Sequence, residues 1–449
     1  MGHGFFAMKT LALAFVALLI STEAYASNWY VDGSRAVNQK TQTGSSAAPF
    51  GALWQAAQVA KPGDTILLLP TVTYGMLGIQ TSGSSAGQIT IKGAGTAPNL
   101  TRVDGGASSF GIWIDASYVT IENFDVTAGD GETAIDATSA TATTPNRNII
   151  VKGNVVHNAG RDGINIFGCD YVFVEDNTVY GNANNTANNI FSSGISILGS
   201  LDADQTTGVK TTVTGNIVYR NTNIPVCPTS GCTAANTDAD GNGIIIDVNN
   251  RSYWDNNAYV GRTLIANNVI FGNGGRAIHL YRSNHVTVTS NTTYFNNQDP
   301  YEGNYLPGEI EANASGDVSV YDNIFFSDGL TGINNGVNTG HHVGISFQES
   351  TDGTGQLIAE HNLVYNPANN SELLSSSSKN TMPVTITSNT WANPLFKSAG
   401  LVESTADFQV TAGSPALGTA NANESVEYDI LGIARAAPKT IGAYEQPAP

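Results

Sequence analysis

Short runs of alternating apolar and polar residues recur along this chain, and each run ends on an asparagine. Val172 to Asn182 reads Val-Phe-Val-Glu-Asp-Asn-Thr-Val-Tyr-Gly-Asn. The frame of apolar, any, apolar, any, any, Asn, any, apolar returns around Asn154, Asn177, Asn216, Asn268, Asn291, Asn323, Asn362 and Asn389. Period-two alternation predicts strands with one buried face, and the Asn marks a turn. One strand-turn unit repeated along a chain predicts a solenoid. The expectation is an all-β, single-domain parallel β-helix whose Asn side chains stack inside the turn and bond neighbouring backbones.

A second frame, close to Gly-Ile-x-Ile, recurs once per coil. It stands at Gly111-Ile112, Ala134-Ile135, Gly163-Ile164, Gly194-Ile195, Gly243-Ile244, Ala277-Ile278, Glu309-Ile310 and Gly344-Ile345. Aligning the first Ile of each puts sequence-distant residues on neighbouring rungs, about 4.8 Å apart. The outward column then reads Trp113, Asp136, Asn165, Ser196, Ile245, His279, Glu311, Ser346. Two residues further on it reads Asp115, Thr138, Phe167, Leu198, Asp247, Tyr281, Asn313, Gln348. Most of these positions are bland. Three consecutive rungs are not: Asp247, then Arg276, His279 and Tyr281, then Glu309 and Glu311.

Solenoids need covered ends. Phe50, Leu53, Trp54 and Ala57 fall at helical spacing and predict a short N-terminal capping helix, followed by the turn Pro62-Gly63-Asp64. The expected organisation is a signal peptide over 1–26, a cap with first strands over 27–87, coils over 88–392 and a C-terminal cap over 393–449. The signal peptide is read from Met8-Lys9, the apolar run Leu11 to Ile20 and Ala24-Tyr25-Ala26. It implies secretion, extracellular or periplasmic, with no membrane association after cleavage.

The formal net charge of −18 excludes nucleic acid as a partner. An acidic ligand then needs a local cationic patch or a bridging divalent cation. Cys227 and Cys232 flank Pro-Thr-Ser-Gly and suit a small loop disulfide, while Cys169 reads as an unpaired buried thiol.

Arg251, Arg262, Arg276 and Arg282 supply such a patch within one short stretch. A guanidinium fork matches a uronate carboxylate. His279 and Tyr281 point the same way on one strand, as a base and acid for β-elimination require. Arg276, His279 and Tyr281 are therefore the candidate catalytic residues. Arg251, Arg282, Glu309, Glu311, Tyr253, Trp254 and Tyr301 are candidates for substrate binding, and Asp238, Asp240 and Asp247 for Ca²⁺, with Asp162 and Asp202-Ala203-Asp204 as further oxygen donors. Glu309 and Glu311, with Asp247 two rungs away, alternatively suit glycoside hydrolysis by paired carboxylates. No zinc signature, P-loop, dinucleotide fingerprint or nucleophile elbow is present.

Several segments carry a family resemblance: Pro62-Gly63-Asp64-Thr65-Ile66, the Asn frame, Asp240-Gly241-Asn242-Gly243-Ile244-Ile245-Ile246-Asp247, Gly274-Gly275-Arg276-Ala277-Ile278-His279 and the closing Gly-Ser-Pro-Ala and Gly-Ala-Tyr-Glu. By these the chain after the signal resembles secreted right-handed parallel β-helix proteins of the pectate-lyase-like superfamily, near polysaccharide lyase family nine and its unassigned relatives. The resemblance implies a right-handed helix and a polysaccharide lyase on an acidic substrate; hydrolases, uronate epimerases and non-catalytic glycan binders share the fold. The family-nine lysine base is missing from the candidate rungs, where Lys152 and Lys210 fall on another strand. The epimerase Asp-Pro-His-Asp and the polygalacturonase Gly-His-Gly are absent. A monomeric enzyme acting through His, Tyr and Arg is the resulting expectation.

Overall fold

The computed structural model describes residues 26–141, 144–184, 191–222, 240–250, 257–298, 308–327, 331–334, 337–341, 343–348, 355–367, 374–376, 380–421 and 423–446. Three long parallel sheets run the length of the molecule, and a complete coil gives one strand to each. Sheet A has 12 strands, from Asn28–Val31 to Val384–Thr387; sheet B has 10, from Thr101–Asp104 to Thr390–Trp391; sheet C has 10, from Leu77–Ile79 to Leu374–Ser376. The fold is the expected right-handed parallel β-helix. Parallel strands need both faces covered. Here the inward residues of all three sheets, such as Ile149, Val151, Ile164, Ile166, Ile278 and Leu280, merge into one apolar core.

Asparagines fix the turn from sheet A to sheet B. From Asn154 through Asn177, Asn216, Asn268, Asn291, Asn323 and Asn362, the side-chain Nδ2 and backbone N of each donate to Oδ1 of the next, ending on Asn389; the side-chain bonds measure 2.9–3.0 Å. Each Nδ2 also donates to a carbonyl one rung back, as Asn177 does to Val151 at 2.9 Å. Buried amides in a tight bend thus keep their partners. The residue before each Asn is left-handed, with φ between 55° and 70°. Only Gly153 and Gly215 among them are glycine; the others are Asp, Asn, Ser or His, and most belong to types that tolerate this region.

A second ladder, unforeseen from the frame, turns sheet B into sheet C. It runs Asn182, Asn221, Asn273, Asn296, with side-chain bonds of 2.8–3.0 Å. Each member stands five residues after a member of the first ladder, at Asn177, Asn216, Asn268 and Asn291. That offset was the signal available in the sequence.

At the N-terminal end the helix Leu53–Ala57 covers the first coil, and Gln55 caps it by accepting from the backbone N of Gly51 and Ala52. Asp64 of the Pro-Gly-Asp turn accepts from the backbone N of Ser27 and Lys61 and from Trp29 Nε1. The C-terminal segment folds back along the outer face of sheet B. Phe408 and Ala443 pack on Tyr219, Val269 and Phe271 there. Gly442, at φ 98°, donates to the carbonyl of Asp322, where an added Cβ would meet Ile324 Cδ1 at 2.7 Å. Closeness of backbone to sheet explains the Gly in Ile441-Gly442-Ala443. Among the described residues no helix is long and apolar enough to cross a membrane.

Candidate active site

Sheet C carries the unusual chemistry, because strict pairing stacks its outward residues. Ser196, Ile245, His279, Glu311 and Ser346 are successive Cα partners, and so are Leu198, Asp247, Tyr281, Asn313 and Gln348. The first column points away from the core yet is buried: His279 is 8% exposed and Glu311 0%. The second column is half-exposed along its whole length, from Thr138 through Phe167 and Asp247 to Gln348. Access to the site therefore lies along this second strip.

Three neighbouring side chains hold buried polar atoms with no partner. Neither Nδ1 nor Nε2 of His279 has one, nor does Oδ1 of Asp247, nor Oε1 of Glu311. Such atoms cost stability and are few in native proteins. They stand on three adjacent rungs.

The electrostatics sort these groups. Burial, then the Arg276 charge, holds the His279 imidazole well below its ordinary pKa, so the ring is neutral with both nitrogens uncommitted. Burial, then the Asp162 charge, pushes the Asp247 carboxyl up to about 7, against a smaller lowering by Arg282. The Tyr281 ring lies 5.9 Å from that of His279, tilted by 50°.

The arginines do not form one patch. Arg262 belongs to sheet A and pairs with Asp317. Arg276 donates from Nε to Oε2 of Glu311 at 2.7 Å and so is already neutralised. Arg282 is exposed, at φ 47°, with its guanidinium over the Tyr281 ring at 5.2 Å, and among the described residues it has no carboxylate partner. Arg282 is thus the exposed guanidinium next to Tyr281, and Arg276 is the half-buried one tied to Glu311.

Glu309 also departs from expectation. It is fully buried, and its carboxylate accepts from the backbone N of Asn296 at 3.0 Å and from its Nδ2 at 2.7 Å. It terminates the second ladder, which commits both oxygens and removes it from contact with substrate. The physical reason is the turn: Glu309 precedes the Ile of its rung, where the ladder arrives.

The metal-binding expectation divides. Asp202 and Asp204, with Asp170, surround the buried Lys210 ammonium, at 2.9, 3.3 and 3.0 Å, so these oxygens are committed. Asp240 is half-buried and raises the pKa of Asp162, whose carboxyl burial pushes to about 7. Among the described residues no group of three or more His, Cys, Asp or Glu is arranged to hold a metal ion. Asp238, Arg251, Tyr253, Trp254, Tyr301, Cys227 and Cys232 lie outside the described residues. Cys169 is a buried free thiol.

No protein-family model and no curated protein matches the chain. Solved structures do. Pectate lyase Pel9A superposes with a TM-score of 0.52 at 17% identity, covering 94% of this chain and 96% of its own. A rhamnogalacturonan lyase gives 0.42 at 13%, covering 84% and 91%. The GH136 lacto-N-biosidase from Eubacterium ramulus gives 0.42 at 13%, covering 81% and 67%. The likeness to Pel9A shows the fold: the chain is a parallel β-helix.

Proposed function

We propose that the protein is a secreted polysaccharide lyase that cleaves a uronate-containing glycan by β-elimination. The observation that carries this reading is the neutral, doubly uncommitted His279 imidazole between the unsatisfied carboxylate oxygens of Asp247 and Glu311. A neutral imidazole is a base; an imidazolium is not. In the proposed step a His279 nitrogen takes the C5 proton beside the carboxylate. The electron pair forms the C4–C5 double bond as the C4–O bond breaks, and the Tyr281 hydroxyl gives its proton to the leaving oxygen. The Arg282 guanidinium holds the uronate carboxylate, and Glu311, buried and fixed by Arg276, backs His279 from the next rung.

The test is ultraviolet absorbance from unsaturated ends on uronate polymers, with and without chelator. The chelator arm addresses calcium at Asp238, Asp240 and Asp247. Reducing ends without that absorbance would sink the lyase reading. They would favour hydrolysis with Asp247 as general acid, an alternative supported by its carboxyl titrating near neutrality.

A further inference from the structure

We infer that this site takes a glycan whose uronic acid residues are isolated among neutral sugars, not a polymer charged at every residue. The inference rests on the elimination reading of the same site and concerns what flanks the reacting sugar.

The accessible strip of sheet C carries the argument. From Thr138 to Gln348 it holds no lysine, arginine or histidine, and its one charged member is Asp247. Phe167, Leu198 and Tyr281 give it apolar and aromatic surface, which suits the faces of neutral sugar rings. Behind the strip lie Asp136 and Asp162, both buried. Asp136 is held by Asn165 Nδ2 and Thr138 Oγ1, with no cation bonded to it. Arg276 is spent on Glu311.

A polyuronate would set successive carboxylates against Asp136, Asp162 and Asp247, with only Arg161, beside Asp162, and Arg282 to answer these three acids. Like charges juxtaposed in a partly desolvated groove discriminate against a ligand more strongly than lost contacts do. One carboxylate opposite Arg282, flanked by uncharged sugars, fits the same surface without that penalty.

The experiment uses the purified full chain at pH 8 and low salt, with three probes: polygalacturonate, the alternating rhamnose–galacturonate backbone of rhamnogalacturonan, and that backbone with its carboxyls reduced to alcohols. Affinity electrophoresis and kcat/KM are expected to favour the alternating polymer over polygalacturonate by about tenfold or more, and added salt should narrow the gap. Arg282→Gln should bring binding of the alternating polymer to within about twofold of its reduced form. Equal or tighter binding of polygalacturonate, or failure to bind any probe, overturns the inference. Unsaturated ends absent from every probe defeat the elimination reading instead, while the order of binding still decides this one.

Discussion

The guanidinium of Arg276 holds one oxygen of Glu311 at 2.7 Å and leaves the other buried and unpartnered. A fully buried carboxylate kept by a single arginine is sensitive to that arginine. Arg276→Ala should strand the charge and destabilise the fold by about 3–5 kcal/mol. Arg276→Met with Glu311→Leu should recover most of the loss. Urea midpoints of the three proteins measure both.

Catalysis should respond to His279 differently. His279→Ala is expected to lower kcat/KM by on the order of 10²–10⁴ while leaving stability little changed or improved, since no hydrogen bond is lost. Because the imidazole titrates well below 6.5, the acid limb of the wild-type profile should also lie below that pH. An alkaline limb near 7 that vanishes in Asp247→Asn would instead point to Asp247 as the working acid.

Two carboxyls with large upward shifts contribute to the pH dependence of stability. Burial first, then neighbouring carboxylates, raises Asp247 and Asp162 to about 7 in the folded chain, against 3.8 for an ordinary carboxyl. Between those values the folded chain keeps protons that the unfolded chain has released, so stability falls as pH rises through the window. Asp247→Asn should therefore stabilise the protein at pH 8 by on the order of 1–3 kcal/mol and change little at pH 4. Thermal melts at both pH values check the sign.

The ladders make a graded prediction. Asn216→Ala removes an acceptor from two donors of Asn177 and two donors of its own in the middle of the stack. It should cost about 2–4 kcal/mol, from buried groups left unpaired. Asn389→Ala, at the half-buried last rung, should cost about half as much. Glu309→Ala frees both donors of Asn296 and should resemble Asn216→Ala, with a smaller effect on catalysis than His279→Ala.

The first ladder and the columns of sheet C were legible because both obey a fixed frame, and a strand's period of two assigns each residue a side. Register then follows from aligning one isoleucine per rung. The second ladder was missed because its asparagines follow Gly181, Arg220, Gly272 and Phe295, with no apolar alternation after them to announce a strand. The tie between Arg276 and Glu311 was illegible for another reason. It depends on how far one side chain reaches across a rung, which no spacing encodes. The same reach took Glu309 into the ladder and left Arg282, and not Arg276, facing outward.

From Asn154 to Asn362 every amide in the first ladder donates toward the following coil and accepts from the preceding one. The stack thus has a direction and a repeating unit of one. A whole coil removed between two consecutive members, or duplicated there, leaves each donor facing an acceptor. Length along the axis is then adjustable without repair of the joint. What such a change would alter is the length of sheet C between the capped end and His279.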